Sequence, residues 1–240
     1  MNHYTTNPYE RMPIHSIQRL SPAAVLGLWH LTEAAADLWP LLPQPTAYHK
    51  LRPATADATR QAQWLGGRVL VHRLAAEFDT LQADTLTVQN DPTGRPWLAE
   101  AGPGVEISLS HSGAWVAAVL AIGGRVGVDV EIVRGKAQRI ASRFLASSEA
   151  RAAEEIALAA PALASAHYSL LWSAKETLYK LAAERGIIFR KQLLLHSFAP
   201  QPSGQIPATL VVGAVETRHC ICYYQPAPGY VLTYCHEPTA

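Results

Sequence analysis

Cysteine is scarce in this chain. The three present, Cys220, Cys222 and Cys235, are an odd number crowded near the C-terminus. That pattern fits neither a disulfide framework nor a four-ligand zinc site, so reduced thiols are expected. An excess of one charge sign is missing too. A formal net charge of +1 leaves no electrostatic footprint for bulk nucleic acid or an anionic membrane, so any basic site must be local. No uncharged apolar run approaches the about 18 residues needed to cross a bilayer. The opening stretch MNHYTTNPYERMPIHSIQRL contains no apolar leader segment. These absences point to a cytoplasmic protein with neither nucleic-acid nor membrane partners. There is also no sequence repeat, no low-complexity tract and no Pro- or Ser-rich linker.

What is present suits a globular core. A chain of 240 residues with 49% hydrophobic content can fold as one large domain or two small ones. AAVLGLWHLTEAAADLWPLLP reads as a strand near residues 26–31 followed by a helix capped by Thr32. TADATRQAQWLGGRVLVHRLAAEFD has helical period, with Ala62, Leu65, Val69 and Leu74 near one stripe. The polar turn QNDPTGRP follows. Three short strands are expected over 105–109, 115–122 and 126–132, joined by SHSGA and GGR turns. The second half predicts a helix over 136–145 and a capping signal at Ser147 or Ser148. A long helix runs from Ser165 to Glu184 and is closed by Gly186. KQLLLHSF, ATLVVGAVET, HCICYYQ and GYVLTYCH read as strands. Helix and antiparallel sheet in both halves make an α+β fold.

GVDVEIV, residues 127–133, places two acids inside a run that otherwise reads as a buried strand. Residues two apart on a strand share a face, so Asp129 and Glu131 stand side by side while Val128, Val130 and Ile132 fill the other face. Such a pair either protects an edge strand from aggregation or awaits a cation. Trp172, Glu176 and Lys180 in LWSAKETLYKLAAERG are spaced four apart and share a helix face. Glu176 and Lys180 are then either a surface pair, or Glu176 completes a carboxylate cluster with Asp129 and Glu131. Three carboxylates without His or Cys suit a hard cation, above all Mg²⁺, which shares its shell with phosphate oxygens. Arg95, between Gly94 and Pro96, offers a fixed fork toward phosphate. His111, flanked by Ser110 and Ser112 at a strand end, can donate to a phosphate oxygen.

GRPWL, ISLSHSGAWVA, GVDVE, RIASRFLASSE and WSAKETLYK, in this order and spacing, resemble the signature of the 4′-phosphopantetheinyl transferase superfamily, of the longer, surfactin-synthetase-activating type. The resemblance runs from Arg60 through Lys180, roughly half the chain. GVDVE alone is a weak signal; joined to WSAKE downstream and SLSHS upstream it becomes specific.

The resemblance implies a monomer of two similar α+β subdomains related by a pseudo-twofold, each an antiparallel sheet with packed helices. Residues 1–123 would supply coenzyme A phosphate and adenine contacts, and 124–240 the metal site and catalytic helix. The implied reaction is transfer of the 4′-phosphopantetheine arm of coenzyme A to a serine of an apo acyl or peptidyl carrier protein, releasing adenosine 3′,5′-bisphosphate. Asp129, Glu131 and Glu176 would hold Mg²⁺, or Mn²⁺ in its place. Gly94, Arg95, Pro96, Ser110 and His111 would contact coenzyme A. Lys180 would lie beside the pyrophosphate, and Glu149 matches an acidic position near the reacting centre. The serine proton would pass to Glu176, Glu149 or a water at the ion. Lys50, Arg52 and Arg60 compete for the 3′-phosphate, with Arg60 favoured. Residues 143–166 are either the carrier's docking groove or ordinary helix packing. A Mg²⁺-dependent hydrolase of coenzyme A-like pyrophosphates, or a non-catalytic coenzyme A binding module, would share much of this pattern.

Overall fold

The computed structural model describes residues 14–54 and 56–239. In chain order the strands are β1 (Ile14–Ser21), β2 (Ala24–His30), β3 (Thr87–Asn90), β4 (Pro96–Ala99), β5 (Val105–Ser112), β6 (Trp115–Ile122) and β7 (Gly124–Ile132). They continue with β8 (Leu193–Leu195), β9 (Ser203–Val212), β10 (Val215–Tyr224) and β11 (Tyr230–Pro238). The helices are α1 (Ala35–Leu38), α2 (Pro45–Leu51), α3 (Ala58–Ala75), α4 (Lys136–Arg139), α5 (Ala141–Phe144), α6 (Ser147–Ala159), α7 (Ala164–Ala182) and α8 (Phe189–Gln192). This is the expected α+β arrangement of antiparallel sheets with packed helices.

One sheet has the order β1-β2-β6-β5 and the other β7-β11-β10-β9-β8, while β3 and β4 form a separate hairpin. The long helix α3 packs on β2 and β6, and α7 packs on β7 and β11. Each sheet therefore buries one face under its own long helix. A further core lies between the sheets, where Leu26, Leu28, Ala117 and Val119 meet Val126, Val128, Val130 and Leu232. Strands β2 and β6 are covered on both faces, which explains why they read as unbroken apolar runs rather than alternating ones.

The seam between the sheets is polar at its edge. The outward N–H groups of Val128, Val130 and Ile132 on β7 donate to the Oγ atoms of Ser108, Ser110 and Ser112 on β5, at 3.0, 3.2 and 3.2 Å. Three alternate serines replace the carbonyls of a missing strand, which satisfies amides that would otherwise be orphaned at a buried edge. On the other side of β7, Gly127 lets α7 approach, since a Cβ there would collide with the carbonyl oxygen of Thr177. The Thr177 hydroxyl fits the same contact, bonding Thr233 Oγ1 at 2.6 Å and the Thr233 carbonyl at 3.1 Å.

Several local expectations are corrected. Thr32 does not cap a helix; α1 starts after Ala34. Strand β5 continues through Ser110, His111 and Ser112, because its backbone stays paired with β6 as far as Ser112 opposite Trp115. The helix expected over 136–145 is two short turns broken at Ile140. The residue capping α6 is Ala146, whose N–H donates to Glu149 Oε2 at 2.6 Å. Helix α7 ends at Ala183 in the left-handed region, φ 57°, before Gly186 is reached. ATLVVGAVET is the end of β9, a turn, and the start of β10. Strand β1 and helix α2 had no counterpart in the sequence reading.

Candidate active site

Asp129 and Glu131 sit on the face of β7 that α7 crosses, and α7 brings Trp172, Glu176 and Lys180 to them in successive turns. Lys180 Nζ donates to Asp129 Oδ1 at 2.8 Å and to the Val128 carbonyl at 2.9 Å. Ser110 Oγ donates to the same Oδ1 at 2.9 Å. The other oxygen, Asp129 Oδ2, is buried without a partner. Glu131 accepts from Trp172 Nε1 at 3.1 Å and from Ser112 Oγ at 3.2 Å. Trp172 therefore does more than pack: it stacks on Phe189, meets Phe144 edge-on and holds the Glu131 carboxylate.

The cluster carries more negative charge than it balances. Burial, then the charge of Asp129, pushes the Glu176 carboxyl up to about 7. The same two causes raise Glu131 above the ordinary carboxylate range. Like charges brought together out of water favour the protonated forms unless a cation joins them. Lys180 is the ammonium in contact with Asp129, and it engages only one of its oxygens.

Three clefts border this cluster. One of about 540 Å³ runs between the Gly94–Pro96 turn and the end of α7, with Glu176 and Lys180 in its wall. Lys180 also lines a second, of about 330 Å³, with Gln63, Arg68, Asn90, Ser110 and His111. The third, of about 300 Å³, reaches Glu131 from the opposite side through Ile132, Ile140 and Trp172. His111 has its imidazole held below the ordinary histidine value by partial burial, then by Lys180, Arg60 and Arg68. Gly94 has φ +89°, a turn geometry that favours glycine, and Pro96 starts β4. Arg95 lines the large cleft and pairs with Glu106 on β5.

Some expected residues lie elsewhere. Glu149 is a buried carboxylate in the first turn of α6. Its Oε2 accepts from Ala146 N and from the fully buried Lys175, and its Oε1 accepts from Leu195 N at 2.6 Å. Both oxygens are committed and it lines none of the three clefts. Glu149 thus forms a buried ion pair with Lys175. Lys50 and Arg52 are exposed and line none of the clefts either. Arg60 is exposed at the first turn of α3, where Asp57 caps its N–H.

Arg68 was missed by the sequence reading. It is 5% exposed, lies over Trp64 at 3.8 Å, and donates to the Trp64 carbonyl and to Asn90 Oδ1. Burial lowers its pKa to about 10, and its Nε has no partner. A buried guanidinium with no carboxylate is costly unless an anion arrives. A signal was available: an arginine inside the largely apolar run WLGGRVLV of α3. The serine ladder was legible too, as the alternation in SLSHS.

The Cys-bearing end of the second sheet is a different matter. His219, Cys235 and Glu237 cluster there. His219 is already bonded at both ring nitrogens, by Thr217 and by Glu237. The Cys235 thiol turns to the same glutamate. The three cysteines are free thiols.

The acidic cluster at the seam of the two sheets lies beside clefts lined by cationic side chains. Residues 125–235 match the model of the 4′-phosphopantetheinyl transferase superfamily. The match contains Asp129, Glu131, Glu176 and Lys180. Gly94 to Pro96, Ser110 and His111 lie upstream of it. No curated protein matches the chain. No described helix is long and apolar enough to cross a membrane.

Proposed function

We propose that the protein transfers the 4′-phosphopantetheine arm of coenzyme A to a serine of an apo acyl or peptidyl carrier protein, releasing adenosine 3′,5′-bisphosphate. The observation that carries this reading is the unmet oxygen of Asp129, one of three clustered carboxylates, beside cation-lined clefts in a stretch that matches that superfamily's model. On this reading, residues 1–123 supply nucleotide contacts and 124–240 the ion site and catalytic helix of one monomeric, cytoplasmic enzyme of the surfactin-synthetase-activating type.

The donor set fits a divalent cation. Asp129, Glu131 and Glu176 offer oxygen only, as Mg²⁺ or Mn²⁺ prefers. Asp129 Oδ2 lacks a partner, and two carboxyls are held toward their neutral forms by crowding. When bound, the ion supplies positive charge to the pyrophosphate oxygens. The chain's own residues do the rest. His111 and Arg68 line the cleft of about 330 Å³ and would bind phosphate there, with the exposed Arg60 reaching toward it from the first turn of α3. Arg95 would exchange Glu106 for a ligand oxygen. Lys180, already aimed into both clefts, would stabilise charge on the departing phosphate. With Glu149 committed to the fold, Glu176 is the cleft carboxylate whose protonation changes near neutral pH, which suits it to take up the serine proton.

The third cleft would admit the carrier. Its apolar wall leads to Glu131, and Arg134, Lys136, Arg139 and Arg143 stand exposed around α4 and α5. None of these four forms an ion pair among the described residues. That face complements an acidic carrier, while the exposed Leu158 on α6 and Leu163 in the turn that follows it supply apolar contact. Mass spectrometry of apo carriers incubated with the protein, coenzyme A and Mg²⁺ tests the reading. A gain of one phosphopantetheine arm is expected. Coenzyme A cleavage without that gain would point to a hydrolase, and binding without turnover to a non-catalytic module.

A further inference from the structure

The turn that carries Arg95 is anchored from both halves of the molecule. Asn90 Nδ2 donates to the Gly94 carbonyl at 2.8 Å, while its Oδ1 accepts from Arg68 Nη2 at 2.7 Å. Arg68 is itself immobilised by burial, by the Trp64 ring and by the Trp64 carbonyl. From the other side, Arg185, just beyond α7, donates Nη2 to the Pro92 carbonyl at 2.9 Å across 93 residues of sequence. Within the turn, the Asp91 carboxylate accepts from Thr93 N, Thr93 Oγ1 and Arg95 N.

Asp91 fixes the internal shape of the turn but not its orientation toward the cleft. Orientation needs anchors outside the hairpin: Arg68, reached through the Asn90 side chain, and Arg185 are those anchors. An amide is required at position 90, because one side chain must both accept from a guanidinium and donate to a carbonyl. We infer that Asn90 and Arg185 are positioning residues that hold the Gly94–Arg95 turn in place for coenzyme A. This rests on the reading of the cleft as a coenzyme A site.

Calorimetric binding of coenzyme A to the full chain, without carrier, separates the two claims. If the wild-type protein does not bind, the coenzyme A reading itself fails. If it binds, Asn90→Asp is the diagnostic variant: it keeps and strengthens the acceptor for Arg68 but removes the donor to Gly94. The dissociation constant and the KM for coenzyme A should rise roughly fivefold to tenfold. kcat and the thermal midpoint should hardly move. Arg185→Ala, on an exposed side chain, should weaken binding about threefold, and Arg185→Lys should recover part of it. Unchanged coenzyme A affinity in both Asn90→Asp and Arg185→Ala, whatever happens to thermal stability, would overturn the assignment.

Discussion

Lys175 and Glu176 are neighbours on α7, yet their surroundings are opposite. Lys175 is wholly buried, and burial, outweighing the charge of Glu149, lowers its pKa. It has a dedicated partner, and every oxygen of that partner is bonded. Glu176 is crowded by Asp129 and Glu131 and leaves a cluster with an unpartnered oxygen. One residue step separates a charge that completes the fold from a charge the fold leaves in deficit. Functional sites are where such deficits are tolerated.

Removing a partner from the completed pair should do most harm. Lys175→Met leaves Glu149 buried and uncompensated, and should cost about 4 kcal/mol of unfolding free energy by denaturant titration. Adding Glu149→Gln, which removes the stranded charge, should recover part of that loss. The deficient cluster should respond the other way. Asp129→Asn should leave stability within about 1 kcal/mol while lowering the transfer rate at least about a hundredfold, or ~2.7 kcal/mol at the transition state.

Proton linkage separates the two regions further. Glu176 has its pKa raised from 4.5 to about 7, so the metal-free native state binds the proton more tightly than the unfolded chain. Its contribution to stability is full below about pH 4.5 and is lost as pH rises through 7. His72, His111, His167 and His236 are held low by burial and act in the opposite sense. The readout is therefore wild type minus Glu176→Gln. That difference should fall by roughly 2 kcal/mol between pH 5 and pH 8 without metal, and Mg²⁺ should restore it at pH 8. The seam serines are a milder case. Ser112→Ala removes the partner of the Ile132 N–H and should cost about 1 kcal/mol in thermal or denaturant unfolding.

Much of this was legible in the sequence where local chemistry decides it. The period-two placement of Asp129 and Glu131, and the four-residue spacing of Trp172, Glu176 and Lys180, put each set on one face. The structure joins those faces. Gly127 permits the join by letting α7 approach β7, a tertiary reason that a strand pattern cannot reveal. Helix ends were less legible because capping followed context. Ala146 starts α6 through Glu149, and Ala183 takes the left-handed position before Gly186 is available. Ser110 and Ser112 looked like turn residues because serine favours turns; in the fold their hydroxyls serve the amides of another strand. Arg68 was hidden in a helix whose glycines and small residues blur its apolar stripe.

The most direct test of the central claim is Mn²⁺ binding to the full chain in the presence of coenzyme A, followed by electron paramagnetic resonance. One ion per chain is expected for the wild-type protein, with binding lost in Asp129→Asn and preserved in Ser112→Ala. Equal Mn²⁺ binding by wild type and Asp129→Asn, or none by the folded wild-type protein, would contradict it.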